Sequence, residues 1–324
     1  MKDLHLSATR ILDMYQALRP SLPQANFPSH YLRHHTLGDI SDNYDAFFFD
    51  AFGVLNLGER AIPLAVERIA QLKAAGKFVC IVSNAASVTI ESLYKKYSGL
   101  GFAFTPEEII SSRQAMLAYL SQTNTQTNTQ TSTQSTPINP SPQKCAVIAP
   151  IGTDTQDIAT CGHFSSLVNV LEHPEYMDEA EQFILLSSQD WTQQHQALLI
   201  ENLQRKPRPI LLANPDLVAP REDYFSLEPG YLAKAIQEAT GISAKPFGKP
   251  YANIFDLAKQ KLPPHIRNDK ILMIGDTLHT DIIGGAAAGV HTALVCANGF
   301  ASTIDWQACI AQTGITPHYV IDYI

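Results

Sequence analysis

The 324-residue chain predicts an α/β fold, a Rossmann-like parallel-sheet core with an inserted α/β cap domain. Three observations carry that reading. Short apolar runs (AFFFD at 46–50, KFVCIV at 77–82, ILMIGD at 271–276) alternate with helical patterns, as right-handed βαβ units require. Each run ends in a polar residue, Asp50, Ser83 or Asp276, at the edge where open parallel sheets place their chemistry. The alternation also breaks at 121–143 and resumes as a separate α/β pattern over 144–220.

Taken in order, residues 1–44 read as an N-terminal helical extension, with a short amphipathic helix over MKDLHLSATRILDMYQALRP. YDAFFFD is a strand and IPLAVERIAQLKAAGK a helix ending at Gly76. KFVCIVSN is the next strand, and SVTIESLYKKYSGLG a helix ending in Gly. TPEEIISSRQAMLAYL (105–120) reads as a helix with Thr105 as N-cap and Glu108 three residues on. The tract 121–143 has no charge and one aliphatic residue, Ile138, so it cannot bury enough apolar surface to order itself and reads as a flexible linker. The cap, 144–220, contains KCAVIAP, EQFILLSSQ, a helix over TQQHQALLIENLQ, and RPILLANPD. From 221 to 324 the core pattern returns: helices over PGYLAKAIQEATG and YANIFDLAKQKL, the strand KILMIGD, a helix over HTDIIGGAAAG, and strands HTALVC and HYVID. The core is therefore expected to consist of 45–120 and 221–324.

Composition narrows the function. A 45% hydrophobic, 17% charged chain is an ordinary globular protein. A net charge of −8 argues against nucleic acid as the main ligand, because backbone phosphates need a basic footprint. It leaves room for a small phosphorylated ligand held by a local Lys and backbone N–H groups. The five cysteines form no CxxC pair and read as buried free thiols of a reducing compartment. Residues 282–304 lack Asp, Glu, Lys and Arg, yet six Ala and four Gly make them too weakly hydrophobic to span a bilayer. A cytoplasmic protein with no membrane partner is expected, and a homodimer stays open.

Asp50 is either a turn cap or a nucleophile able to form an aspartyl-phosphate. Asp276 favours the second reading, since two carboxylates at one sheet edge repel unless a cation lies between them, and hard oxygen ligands suit Mg²⁺. Asp281 can ligate through water, orient Asp276, or serve as a helix N-terminal acid. Ser83 and Asn84 can hold phosphate oxygens or cap the next helix. Lys249, between Gly248 and Pro250, can neutralise phosphate or remain a solvated charge.

These segments, in the order DxxGV(L), hhhSN, GKP and hhhhGDxxxxD, resemble the haloacid dehalogenase (HAD) superfamily of phosphohydrolases. ANPD (213–216), PGYLAKAIQEATG and GDTLHTDIIGGAAAGVHTALV look like its class IIA, which contains sugar-phosphate, p-nitrophenylphosphate and nucleotide phosphatases. The resemblance implies Asp50 as nucleophile and metal ligand, the Phe52 backbone carbonyl as a second ligand, Asp276 as a third, and Asp281 in support. It implies that Ser83, Asn84 and Lys249 bind the phosphoryl group, and that Asn214 and Asp216 approach the substrate. The sequence departs from the family at Phe52, where its phosphatases carry the Asp that protonates the leaving oxygen. A subgroup of class IIA sequences resembles this one in having an aromatic there. Such acid–base help is worth about 10²–10⁴-fold. Phe52 thus implies a good leaving group, a substitute acid such as Glu59 or a cap residue, or lost turnover. The expectation is a Mg²⁺-dependent hydrolase of a small phosphomonoester. Its rival is a catalytically weak, phosphate-ligand-binding or regulatory protein.

Overall fold

The computed structural model describes residues 6–129, 143–220 and 224–324. Its larger sheet has seven strands in the spatial order Leu32–Thr36, Tyr319–Tyr323, His291–Val295, Ile271–Gly275, Ala46–Phe49, Phe78–Ser83, Ile109–Ser111. All the pairings are parallel. Parallel sheets are covered on both faces, so their strands read as continuous apolar runs. Within AFFF, Phe47 and Phe49 pack on one face with Tyr44, Ile69 and Tyr97. Phe48 packs on the other with Val82, Met116 and Phe255. The two central strands, Ala46–Phe49 and Ile271–Gly275, are in register at Phe49 and Ile274. The chain leaves them towards opposite edges of the sheet, making their C-terminal ends the topological switch point.

The second sheet has five strands in the order Lys245–Pro246, Ile210–Leu212, Gln182–Leu185, Gln143–Ile148, Phe164–Asn169, again parallel throughout. Between Ile210–Leu212 and Lys245–Pro246 the chain forms a hairpin, Val218–Pro220 against Phe225–Leu227, and a helix, Pro229–Thr240.

Four sequence expectations change. The segment 229–246 packs with the second sheet rather than the first: Leu232, Ala233 and Ile236 join Phe183, Leu185 and Leu199. Gly230 lets the start of that helix approach the loop after Ile210–Leu212, since a Cβ there would lie 2.1 Å from the Pro215 carbonyl oxygen. The N-terminal stretch is more than a helical extension, because Leu32–Thr36 supplies the edge strand of the core sheet; its half-exposed, polar LRHHT sequence hides this. Thr105 and Glu108 do form a capping box, but around a single 3₁₀ turn. Ile109–Ser111 is then a strand, as suits two consecutive β-branched residues, and the helix starts at Ser112. That helix continues to Thr129, into the tract expected to be a linker, as cheap propagation from a nucleus anchored by buried Met116 and Leu120 allows. The remainder of the tract, 130–142, lies outside the described residues.

The five cysteines are free, and Cys161 alone among them is not buried. Among the described residues no helix is long and apolar enough to cross a membrane.

Candidate active site

Asp50 follows its strand directly, and its N–H donates to the Ile274 carbonyl at 2.8 Å, which fixes it beside the end of the neighbouring strand. Asp276 follows that strand. Its Oδ1 accepts from the Thr277 hydroxyl at 2.9 Å and its Oδ2 from the Phe300 N–H at 2.6 Å. The expected helix over HTDIIGGAAAG begins as a π-turn, Leu278–Ile282, before the short α-helix Ile283–Ala287. Asp281 lies in that turn and accepts from the Thr277 N–H at 3.1 Å. Carboxylate oxygens of Asp50, Asp276 and Asp281 come within 4.8 Å of one another.

Lys249 enters this cluster almost fully buried. Its Nζ bonds Asp50 Oδ1 and lies 2.8 Å from Asp281 Oδ1. Asn84 fixes the lysine backbone from both sides, accepting from Lys249 N–H at 2.7 Å and donating to the Lys249 carbonyl at 3.0 Å. The turn has no room for a side chain before Lys249: a Cβ on Gly248, whose φ is +113°, would lie 2.4 Å from Asn84 Oδ1. Ser83 ends its own strand at the same sheet edge.

The electrostatics follow from burial. Desolvation, then the charges of Asp50 and Asp281, pushes the Asp276 carboxyl well above the ordinary carboxylate range. Asp281 is raised to about 6 by burial, with Lys249 pulling down and Asp50 up. Burial works against the Lys249 charge, but Asp281, Asp50 and Asp216 outweigh it and hold the ammonium protonated. Three acidic groups thus crowd a desolvated spot that holds one ammonium, which pairs with Asp50 and Asp281. That is the condition under which hard oxygen donors take up a divalent cation. The loops around Asp276 close tightly on it, and only glycine fits there: Cβ atoms on Gly53 and Gly299 would approach Oδ2 to 2.2 and 1.9 Å. The residues present fit a hard metal ion.

A cavity of about 610 Å³ opens from this cluster between the two sheets. Asn214 and Asp216 stand on its wall. Asn84 Nδ2 donates to Asp216 Oδ1 at 2.8 Å, and Asp216 N–H donates to Asn214 Oδ1 at 3.0 Å. Burial is the main reason the Asp216 carboxyl is raised to about 8. Phe52 also lines the cavity, with Lys96 Nζ 4.8 Å from its ring centre. Glu59, the substitute acid suggested by the sequence, is 85% exposed and paired with Lys96 at 3.4 Å. The structure therefore brings together Asp50, Ser83, Asn84, Lys249, Asp276 and Asp281, sets Asn214 and Asp216 behind Asn84, and leaves Glu59 on the outer rim.

Two residues escaped the sequence reading. Tyr15, from the N-terminal helix Ala8–Leu18, lines the cavity, accepts from Leu217 N–H at 3.2 Å and stacks on His279. Arg113, in the helix after Ile109–Ser111, bonds the Ala86 and Asp154 carbonyls and the Asp157 carboxylate, linking the loop after Asn84 to the second domain. Neither carries a local motif. The only sequence signals were an aromatic on an amphipathic helix and an Arg in an apolar stretch.

Comparison with known proteins agrees with this geometry. Residues 47–138 match the haloacid dehalogenase-like hydrolase family and residues 246–324 the HAD-hydrolase-like family. The chain belongs to the haloacid dehalogenase superfamily, and its relatives fit class IIA. It is 27% identical over 299 residues to glycerol-3-phosphate phosphatase of Gallus gallus, covering 87% of this chain and 90% of that one. It is 27% identical over 305 residues to chronophin of Bos taurus, covering 90% and 95%. Among solved structures it superposes on a possible sugar phosphatase of the HAD superfamily from Cytophaga hutchinsonii with a TM-score of 0.72 and 26% identity, covering 90% of this chain and 98% of that one.

Proposed function

We propose that the protein hydrolyses a small phosphomonoester through an aspartyl-phosphate at Asp50, with Mg²⁺ held by Asp50, Asp276 and the Phe52 carbonyl and supported by Asp281. The observation that supports this most directly is the convergence of three carboxylates at the sheet's switch point, two of them, Asp50 and Asp281, paired with Lys249. The ion, when bound, offsets the carboxylates and the negative charge of the transferring group. Asp50 gives an oxygen lone pair to phosphorus and the bond to the leaving oxygen breaks. Lys249, Ser83 and the backbone N–H groups after Ser83 hold the phosphoryl oxygens, and Asn84 keeps the lysine in place. Water then attacks the phosphorus, releasing phosphate and restoring Asp50. The named activities of the relatives in Gallus gallus and Cytophaga hutchinsonii point to glycerol or sugar phosphates as the first substrates to try.

One observation favours a second reading, a phosphate-binding protein with weak turnover: the residue two after Asp50 is Phe52, which has no proton to give. The deciding experiment measures phosphate release from glycerol, sugar, nucleotide and aryl phosphates with Mg²⁺ or EDTA, with Asp50→Asn as control. Mg²⁺-dependent turnover that Asp50→Asn abolishes is expected. No release from any substrate, with phosphate binding intact, would leave the second reading.

A further inference from the structure

The cavity must supply a proton to the leaving oxygen if the substrate is an alkyl phosphate, and Phe52 cannot supply it. We propose that Asp216 is the general acid and base of the reaction, in place of the residue at position 52. The inference rests on the phosphomonoester reading above and adds a residue to it.

The carboxyl groups lining the cavity are those of Asp50, Glu59, Asp216, Glu228 and Asp276. Asp50 is the nucleophile, and Asp276 has both oxygens engaged by Thr277 and Phe300. Glu228 accepts on one oxygen from the Ser226 hydroxyl at 2.7 Å and on the other from Asn214 Nδ2 at 3.2 Å. Glu59 stands in solvent, paired with Lys96. Asp216 differs from all four. It is partly buried with one side open to the cavity, and its bonded oxygen is Oδ1, which leaves Oδ2 without a bonded donor among the described residues.

Its place is firmly built. Asn84 links it to the reaction centre, because the same side chain that donates to Asp216 also fixes Lys249, whose ammonium bonds Asp50. On the other side, Gly230 N–H donates to the Asp216 carbonyl at 3.0 Å, and a Cβ on Gly230 would lie 2.5 Å from that oxygen. Tyr15 holds the next residue through Leu217 N–H. A group that must meet a leaving oxygen within hydrogen-bond reach needs such fixing. Burial favours the neutral carboxyl, which is the form that can donate.

In the first step Asp50 bonds to phosphorus, the phosphorus–oxygen bond to the leaving group breaks, and the Asp216 proton passes to that oxygen. In the second, the Asp216 carboxylate takes a proton from water as the water oxygen bonds to phosphorus. The Asp50–phosphorus bond breaks, phosphate leaves, and Asp216 is protonated again. Protons and electron pairs balance over the cycle.

The test compares kcat/KM of wild type and Asp216→Asn across phosphates whose leaving groups run from nitrophenol to simple alcohols. Asn keeps the oxygen that accepts from Asn84 and loses only the proton. Asp216→Asn is expected to lose about 10²–10⁴-fold on alkyl phosphates and little on nitrophenyl phosphate, while inorganic phosphate inhibits both proteins alike. Should the variant not fold, wild type alone still decides: alkyl substrates must show a fall in kcat/KM at alkaline pH that nitrophenyl phosphate lacks. The groups facing Asp216 are Lys249, Asn84, Tyr15, Asp50 and Asp281; those that ionise act on both substrates and cancel in this difference. Alkyl turnover retained by Asp216→Asn, equal losses on every substrate with weakened phosphate inhibition, or identical pH profiles would each overturn the proposal. Wild type inactive on the whole series would instead remove the phosphomonoester reading on which it stands.

Discussion

Replacing Asp276 by Asn tests the proposed Mg²⁺ site separately from the rest of the active site. The side chain keeps its size and can still accept from Phe300 N–H, but one of the three clustered carboxylates is gone. A ligand at 100 times its Kd stabilises the folded state by about 2.7 kcal/mol. For a chain of this length that is a rise in Tm of about 5 °C. Wild type should gain that much from saturating Mg²⁺, and Asp276→Asn less than about 1 °C. The pH dependence has a definite sign. The carboxyl of Asp281 is raised from its ordinary value of 3.8 to about 6, and that of Asp276 is raised as well. Protons therefore favour the metal-free folded state, fully so below about pH 4, and this stability is lost as pH rises through 6. Mg²⁺ competes with those protons, so its stabilisation should be small at pH 5 and grow towards pH 8. Thermal melts with Mg²⁺ or EDTA at both pH values test this. Equal Mg²⁺ shifts in the two proteins, or a larger shift at pH 5, would refute the assignment.

Gly299→Ala should abolish the Mg²⁺-linked rise in Tm, because its Cβ would fall 1.9 Å from Asp276 Oδ2 at a residue with φ of +65°; the left-handed backbone alone costs about 1–2 kcal/mol, readable in metal-free melts. Arg113→Met should lower stability by about 2–3 kcal/mol, measured by urea unfolding. It strands two carbonyls, while the Asp157 carboxylate, one-third exposed, regains water. An unchanged urea midpoint would show that Arg113 does not join the two domains energetically.

The parts of the fold legible in the sequence were those whose signals are local. AFFF and ILMIG announce themselves as strands because both faces are buried, and their terminal Asp50 and Asp276 mark the site without any knowledge of the partner strand. Edge positions were harder. LRHHT looks polar because its strand lies at the rim of the sheet, and the helix at 229–240 is amphipathic whichever sheet it covers. The assignment of that helix is decided by packing at Gly230 and Leu232, which a periodic pattern does not encode. The same holds for Tyr15: 202 residues separate it from Leu217, its hydrogen-bond partner.

The aromatic at position 52 makes physical sense in its surroundings. Lys96 lies over the Phe52 ring, a contact that draws on the negative face of the aromatic system. A carboxylate at 52 would face that ammonium, which favours the ionised form and works against proton donation. The wall carrying Asp216 has the opposite character. Burial raises its carboxyl to about 8, and Asn84, Asn214 and Gly230 hold it in place. A general acid needs surroundings that keep its carboxyl neutral. Asp50 bonds the Lys249 ammonium, whereas Asp216 sits in a desolvated wall. By that criterion an acid belongs on the Asp216 wall, and position 52 is free to carry a side chain that shapes the mouth of the cavity.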